Sequence, residues 1–219
     1  MRRLLAAAAL IAGTLLTSAE SVAAPAAAQK FIYSVHHSRY GTIGSYTNTV
    51  VRNGDDTTVN TDIKIAVSII GVTLFRQDAS RQEHWSGGRL VSFHGVTTTN
   101  GRPIQLDGAA EGDRFVMKTP EGEMEAPADV RLANPWSTAI LAGKALFTAD
   151  RGRLDEVQVK GGQTVVLPLG RRQVRVKRYD VLLLDGRKKY EVDVDDQGTT
   201  VQFVLFNIDG TSVSFSMDR

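Results

Sequence analysis

The feature that most constrains the fold is a series of tight-turn dipeptides, which divides the chain after residue 31 into short apolar runs. Asn-Gly and Asp-Gly pairs allow positive φ at both central residues, and such turns match the twist of an antiparallel hairpin. The runs between the dipeptides are rich in Val, Ile, Thr and aromatic residues, which is typical of β-strands. The dipeptides are Asn53-Gly54, Gly87-Gly88, Asn100-Gly101, Gly161-Gly162, Asp185-Gly186 and Asp209-Gly210. The pattern predicts a chain of hairpins.

Two of these runs indicate how the sheet is buried. In residues 57–70, apolar or β-branched side chains from Val59 to Ile69 alternate with small or polar ones. This period of two predicts a strand with one face in a core and the other in water. In residues 201–208 both faces are apolar: Val201, Phe203 and Leu205 share one face, and Val204, Phe206 and Ile208 share the other. Such a strand needs cover on both sides.

One segment departs from the strand pattern. Asn134 is a helix-capping residue type, and Pro135 stands where the first helical residue would be. An apolar stripe at helical spacing follows, made of Trp136, Ile140, Gly143 and Phe147. The spacing predicts a single helix over 135–146. Its apolar stripe would cover the doubly apolar strand.

Together these runs predict a mainly β protein. About a dozen strands would form one antiparallel meander, and because a flat sheet rarely carries so many, the sheet should curl strongly. We expect a half-barrel or β-spiral with the short helix on its concave side. No shift in composition and no fixed-period repeat divides the later chain. Residues 29–219 are therefore predicted to form a single β-rich domain.

Residues 1–28 have the pattern of a secretory signal peptide. Arg2 and Arg3 precede an apolar run that is shorter than the roughly 18 residues of a membrane-spanning helix. Small residues follow, and cleavage is predicted after Ala26 or Ala28, which disfavours the alternative of an uncleaved anchor. No cysteine is available to accept a lipid. The sequence predicts export to the periplasm, as neither a lipoprotein nor an integral membrane protein.

The charge balance argues against nucleic acid as a partner. The chain carries 26 Lys and Arg against 24 Asp and Glu, a net charge of +2, whereas nucleic-acid-binding proteins usually show a clear basic excess. The chain has no cysteine, which removes disulfides, thiolate catalysis and cysteine-ligated metals. It also lacks the motifs of serine hydrolases, zinc proteases and nucleotide-binding loops. No cofactor and no metal ion is predicted.

The titratable residues offer one catalytic hypothesis. Glu83, His84 and His94 flank the turn at Gly87-Gly88, so a hairpin could bring them together in a hydrolase site or a two-histidine metal site. Isolated histidines are more common than either kind of site. A hydrolase of unknown type around Glu83 and His84 is therefore kept only as an alternative.

Residues 193–198 resemble the start of a calcium-binding loop, because acidic side chains recur at alternate positions. The twelfth position of such a loop should be a bidentate Glu, and here it is Val204. The segment is better interpreted as the acidic tip of a hairpin that joins 187–194 to 199–207.

Two further groups are candidates for binding. The run 171–178 places Arg171, Arg175 and Lys177 on one face of a strand and valines on the other. That face fits anionic lipid headgroups, lipopolysaccharide or an acidic partner, although a strand edge protected by charge gives the same pattern. Trp85 stands beside a hairpin turn, where it either packs as an anchor or stacks on a ligand.

A series of short motifs follows one order along the chain. They are Ile43-Gly44, Gly71-Val72-Thr73-Leu74-Phe75-Arg76, Glu83-His84-Trp85, Gly88-Arg89-Leu90, Thr97-Thr98-Thr99-Asn100-Gly101, Asn134-Pro135-Trp136 and Gly170 with Arg178-Tyr179. This order resembles an uncharacterised secreted family of proteobacteria, a domain of unknown function. More distantly, the chain is similar to LolA-type lipoprotein carriers and to spiral envelope-integrity proteins. The resemblance implies a curled antiparallel sheet and supplies no catalytic residues.

These observations favour a non-enzymatic envelope protein that binds or carries an apolar or lipid-like ligand in its half-barrel. The candidate ligand-binding residues are Trp85, Trp136, Ile140, Phe203 and Leu205. The alternative is a structural or protein-interaction role in envelope integrity, with an envelope protein as partner. Its candidate interaction surface is made of Arg171, Arg175 and Lys177.

Overall fold

The computed structural model describes residues 27–150 and 152–218. The signal peptide predicted over 1–28 lies outside the described residues except for its last two positions. The strands are β1 (Ala28–His37), β2 (Gly41–Asn53), β3 (Asp56–Ile69), β4 (Val72–Ser86), β5 (Arg89–Thr99), β6 (Arg102–Glu111), β7 (Arg114–Thr119), β8 (Gly122–Pro127), β9 (Arg131–Leu132), β10 (Ala145–Thr148), β11 (Arg153–Leu169), β12 (Arg172–Leu183), β13 (Lys188–Asp195), β14 (Thr200–Phe206) and β15 (Ser212–Met217).

All 15 strands lie in one sheet, in the order β8-β7-β6-β5-β4-β3-β2-β1-β15-β14-β13-β12-β11-β10-β9. The pairing is antiparallel except between β9 and β10, so the predicted mainly β, largely antiparallel meander is confirmed. The outer strands β8 and β9 are not neighbours in the sheet. The sheet is neither closed nor strongly curled, and the predicted half-barrel or β-spiral is therefore not present. Instead, the chain from the end of β8 through β10 folds back over one face of the sheet, where Phe147 of β10 contacts Phe93 of β5.

The alternating strand is confirmed. In β3 the side chains of Val59, Ile63 and Val67 are buried, whereas Asn60 and Lys64 are exposed. The buried face joins the main core, which lies between β1 to β7 and the folded-back segment. Apolar burial on one face alone is what the period of two predicted.

Five of the six turn dipeptides lie at turns between strands, and the sixth does not. Gly161 and Gly162 lie inside β11, at a bulge where the pairing with β12 shifts by one residue. Gly161 has a φ of +110°, and a Cβ at this position would lie 2.7 Å from the carbonyl oxygen of Arg178. Glycine is therefore required there by a close approach of two strands, which the sequence pattern alone does not distinguish from a turn.

The helix predicted over 135–146 is wrong. The described residues contain one helical element, the 3₁₀ turn Thr138–Leu141, which is capped by the Ser137 side chain. Residues 145–148 form β10 because their backbone pairs with β11 on one side and β9 on the other. Strand pairing outweighs a helical spacing that depended on only four apolar residues. No helix in the described chain has the length and apolarity to cross a membrane.

The doubly apolar strand is covered on one face only. Val201 and Phe203 of β14 are buried, but Phe206 is partly exposed and Ile208, in the turn after β14, is 93% exposed. The expectation of cover on both sides is therefore wrong at this end of β14. The predicted acidic hairpin is confirmed, since β13 and β14 pair on either side of residues 196–199.

Turns in an antiparallel sheet alternate between its two ends. The turns that follow β1, β3, β5, β7, β12 and β14 lie at one end, which we call the Ile70 end after the residue in the β3–β4 turn. The turns that follow β2, β4, β6, β11 and β13 lie at the other end, which we call the Arg171 end.

Candidate functional site

A carboxylate is buried in the main core. Glu83 lies on β4 between Val59 of β3 and Phe93 of β5, and it is only 1% exposed. Trp85, two residues later, shares its face, because alternate residues of a strand point the same way. Glutamate is rarely buried, and when it is, its carboxylate oxygens need hydrogen-bond donors.

Three N–H groups donate to Glu83. The indole nitrogens of Trp85 and Trp136 donate to Oε2 at 2.8 and 3.0 Å. The Nδ2 of Asn134 donates to Oε1 at 2.5 Å. Asn48 donates to Asn134 Oδ1 at 2.9 Å, and Thr61 donates to Asn48 Oδ1 at 2.7 Å. We call these six residues the Glu83 cluster; it fastens the folded-back segment to β2, β3 and β4.

Burial raises the pKa of Glu83 above its ordinary value, and the three N–H donors and the nearby Arg81 oppose that shift without cancelling it. Asn134, which the sequence suggested as a helix cap, instead contributes its amide to this buried network. Asn48 and Thr61 could not be identified from the sequence, since polar residues alternate with apolar ones on many strands. The arrangement fits a structural anchor better than a catalytic acid.

The residues of the hydrolase hypothesis do not converge. Glu83 is on the core face of β4, whereas His84 points to the opposite face. His94 is exposed on β5, opposite Gln82, and its Nδ1 lies 2.6 Å from Asp107 Oδ1. That contact holds the pKa of Asp107 below its usual range. Among the described residues, no three His, Cys, Asp or Glu side chains are placed to bind a metal ion.

Three of the predicted ligand-binding residues surround a small pocket. Trp85, Trp136 and Ile140 line a space of about 140 Å³ between the folded-back segment and the sheet, below the roughly 300–1,000 Å³ of most ligand sites. The two indole rings contact each other edge to face at 6.0 Å, and the Arg131 guanidinium lies 5.6 Å from the Trp85 ring. The two tryptophans therefore pack as anchors.

A larger cleft opens at the Ile70 end of the sheet. It has a volume of about 790 Å³, and its apolar wall is made of Leu183, Tyr190, Leu205, Phe206 and Ile208. Of the predicted ligand-binding residues only Leu205 lines it, because Phe203 is buried beside it in ring contacts with Tyr190 and Phe215. We call it the Ile208 cleft. In the sequence, the only indication of this cleft was the second apolar face of residues 201–208, which includes Phe206 and Ile208.

Charged side chains surround the apolar wall of the Ile208 cleft. Lys189 is buried in an ion pair with Asp155, and burial lowers the pKa of Lys189 despite that pairing. Burial also raises the pKa of Tyr190 to about 12, so its hydroxyl stays protonated. Arg153 and Arg187 are more than half exposed, and each has an acidic neighbour near the mouth of the cleft. The site therefore joins an apolar wall to accessible guanidinium groups.

The predicted basic surface lies at the opposite end of the sheet. Arg175 and Lys177 are exposed on β12 while Val176 is buried, and Arg171 stands in the β11–β12 turn. The hairpin extends beyond β13, whose pairing with β12 ends at Val176. Among the described residues, these three basic side chains and Arg172 make no ion pair. The faces of Arg175, Lys177 and Val176 are therefore as predicted, whereas Arg171 lies in the turn because β12 begins only at Arg172. The surface is separate from the cleft.

Comparison with known proteins gives a family and a fold. The family model described as "Domain of unknown function (DUF6134)" matches residues 33–217. No curated protein matches the chain. A crystal structure of a beta-barrel-like protein of domain of unknown function DUF1849 from Brucella abortus is similar with a TM-score of 0.61 and 13% identity, over 90% of this chain and 98% of that one. This likeness shows a shared fold.

Two weaker likenesses do not establish a shared fold. A DUF1089 family protein from Pseudomonas aeruginosa has a TM-score of 0.38 at 16% identity, over 86% of this chain and 95% of that one. A "putative outer membrane lipoprotein-sorting protein domain" from Vibrio parahaemolyticus has a TM-score of 0.24 at 9% identity, over 87% of this chain and 83% of that one.

Proposed function

We propose that this chain, which belongs to the DUF6134 family, is a non-enzymatic envelope protein that binds or carries an amphipathic, lipid-like ligand in the Ile208 cleft. The observation that carries the proposal is the cleft itself, about 790 Å³ of space with an apolar wall and charged side chains of both signs around it, among them Arg153 and Arg187. Pockets of this size suit small molecules, and a lining that combines an apolar wall with many polar and charged residues suits an amphipathic one. The ligand has an apolar body and one acidic head, a carboxylate or a phosphate.

The apolar wall of the cleft would contact the apolar body of the ligand, and the arginines would bind its acidic head. Leu183, Leu205 and Phe206 offer apolar surface, whose burial favours binding by about 25 cal/mol per Å². Arg153 lies 3.4 Å from Asp155 and Arg187 lies 2.7 Å from Asp185. The Arg187–Asp185 pair is exposed, and such pairs contribute little to stability, so an acidic ligand can replace Asp185 at small cost. Asp155 is largely buried and also pairs with Lys189, so Arg153 can turn to a ligand without leaving Asp155 unpaired. Arginine is suited to this role because its fork binds carboxylates and phosphates bidentately.

The proposal includes location. The sequence of 1–28 supports secretion across the inner membrane and cleavage after Ala26 or Ala28. The absence of cysteine argues against lipid attachment. We place residues 29–219 in the periplasm as one domain, where a carrier of a lipid-like molecule would meet both membranes.

The test is native mass spectrometry of the protein purified from its own cells, followed by organic extraction, together with titration of a fluorescent long-chain fatty acid. Leu205→Trp fills the Ile208 cleft, and we expect it to weaken fatty-acid binding at least about tenfold. The matched control is Ile104→Trp, in a separate cleft of about 760 Å³, which should bind as the wild type does. Equal binding by Leu205→Trp and the wild type would contradict the proposal.

A second candidate function follows from the basic hairpin. Residues 157–179 contain no acidic side chain, and Arg171, Arg175 and Lys177 have no ion-pair partner among the described residues. Such a surface suits an acidic envelope protein, as a structural or interaction role would require. Charge reversal at Arg171 and Arg175 is therefore compared with charge reversal at Arg153 and Arg187. This alternative is favoured if charge reversal at Arg171 and Arg175, but not at Arg153 and Arg187, causes an envelope defect and the wild-type protein binds no fatty acid.

A further inference from the structure

The exposed apolar side chains are concentrated at one end of the molecule. Tyr40, Ile70, Leu184 and Ile208 lie in or beside the turns after β1, β3, β12 and β14, all at the Ile70 end. Of the large apolar side chains that are exposed in the described residues, only Ile32 and Val166 lie elsewhere. Scattered single apolar residues are normal on a protein surface, but a cluster marks an interaction site.

At the Ile70 end, the β3–β4 hairpin continues beyond its pairing with the neighbouring strands. The pairing of β3 with β2 ends at Ile65, and the pairing of β4 with β5 begins at Gln77. About four residues of each strand project past their neighbours, roughly 13 Å at 3.3 Å per residue. Residues 65–75 contain no charged side chain, and the projecting part exposes Ile69, Val72 and Leu74.

The residue at the tip has an unusual conformation. Ile70 has a φ of +50° and is 97% exposed. A β-branched residue rarely adopts the left-handed region, where Asn or Gly is favoured. Here the strain accompanies an isoleucine that is almost wholly in water, so packing within the protein does not explain its presence. Strain of this kind clusters at functional sites.

The opposite end lacks this character. Its turns contain Asn53-Gly54-Asp55, Gly87-Gly88, Gly112-Asp113 and Asp196-Gln197-Gly198. The exposed apolar side chains therefore lie mainly at one end of the sheet, in or beside four of its six turns, where charged residues such as Arg39 and Arg187 accompany them. A molecule polarised in this way has one natural orientation at a boundary between water and an apolar phase.

We propose that the Ile70 end docks on the surface of a phospholipid bilayer, with the β3–β4 tip inserted among the acyl chains. Two observations favour a bilayer over a protein groove. Arg39 adjoins Tyr40, and Arg187 follows Leu184; arginine and tyrosine keep their polar ends in the headgroup region while apolar neighbours insert. The projecting length of roughly 13 Å is also long enough to reach the roughly 5–10 Å depth to which interfacial segments insert.

The apolar end continues into the proposed binding site. Phe206 and Ile208 line the Ile208 cleft and are also among the exposed residues of this end. Docking would therefore place the mouth of the cleft against the membrane. This route for an amphipathic ligand rests on the proposed function, whereas docking itself does not.

The test is flotation of the protein, purified from its own cells, with vesicles of phosphatidylcholine and with vesicles that also contain phosphatidylglycerol. We expect the wild type to float with both, and Ile70→Asp with Leu74→Asp to reduce the bound fraction at least about tenfold. Val166→Asp is the matched control, because Val166 is 63% exposed on β11 near the Arg171 end; it should float as the wild type does.

Three results would overturn the proposal. The first is failure of the wild type to float with either kind of vesicle. The second is a loss of vesicle binding by Val166→Asp equal to that of the double variant. The third is a wild-type protein that is a dimer, binds no vesicles and becomes monomeric with Ile70→Asp. Ile70→Asn provides a variant whose fold is secure, because Asn accepts positive φ; it should also bind vesicles less. Leu205→Trp should float normally, so failure of ligand binding and failure of docking remain distinguishable.

Discussion

At the residue scale, the Glu83 cluster shows how a single buried carboxylate fixes a chain segment. Asn134 and Trp136 lie outside regular structure, yet both donate to Glu83 on β4. Because a buried acceptor without donors is costly, each of these hydrogen bonds opposes release of the segment. The cost is a carboxyl group that resists ionisation, since burial raises the pKa of Glu83.

The pKa of Glu83 predicts a pH dependence of stability. The folded protein binds the Glu83 proton more tightly than the unfolded chain does, so the free energy of unfolding falls as pH rises above the ordinary value of 4.5 toward the folded value. Glu83→Gln cannot ionise, and it loses the hydrogen bond from Asn134. We expect it to be about 1 kcal/mol less stable than the wild type near pH 5, with a smaller difference near pH 7. Urea unfolding at both pH values measures this.

A matched control tests whether the effect belongs to the buried carboxyl. Glu123 is exposed on the edge strand β8, so Glu123→Gln should change stability by the same amount at both pH values. A constant difference between Glu83→Gln and the wild type across this range would show that Glu83 is ionised in the folded protein. The hydrolase hypothesis depended on the adjacency of Glu83 and His84 in sequence. Adjacent residues of a strand point to opposite faces, so this adjacency does not bring the two side chains together.

At the scale of elements, the sequence predicted what depends on local chemistry and missed what depends on distant pairing. The alternation of β3 and the turn at Asn100-Gly101 follow from their own residues. The helix over 135–146 failed because β10 obtains its partners from β9 and β11. The Ile208 cleft was missed because its apolar wall comes from three strands, β12, β13 and β14, whose side chains meet only when the strands pair.

Gly161 offers a prediction about the β11 bulge. An added Cβ would meet the carbonyl oxygen of Arg178 at 2.7 Å, at a φ of +110°. Gly170 also has positive φ, at +58°, but a Cβ there would meet no atom within 4 Å. We expect Gly161→Ala to lower the free energy of unfolding by about 3 kcal/mol and Gly170→Ala by about 1 kcal/mol. Denaturant titration compares them, and equal losses would mean that the bulge can relax.

At the scale of the whole molecule, the sheet is open, because its outer strands β8 and β9 do not pair with each other. A sheet with outer strands that do not pair can place a cleft and a set of turns at one end without surrounding either. Exposed apolar residues at four turns would promote aggregation in a protein that stayed in water. Their restriction to the end that carries the Ile208 cleft is what a protein that meets a membrane in one orientation requires.

That orientation can be measured directly because the chain has no cysteine. Tyr40→Cys, Ile208→Cys and Asp113→Cys each introduce one thiol for an environment-sensitive dye. Tyr40 and Ile208 belong to different turns of the Ile70 end, whereas Asp113 lies in a turn of the Arg171 end. With vesicles, we expect a blue shift and a gain in fluorescence at the first two positions and no change at the third. Docking by the β3–β4 tip alone would leave positions 40 and 208 in water. Unchanged fluorescence at both positions would therefore restrict the membrane contact to that hairpin.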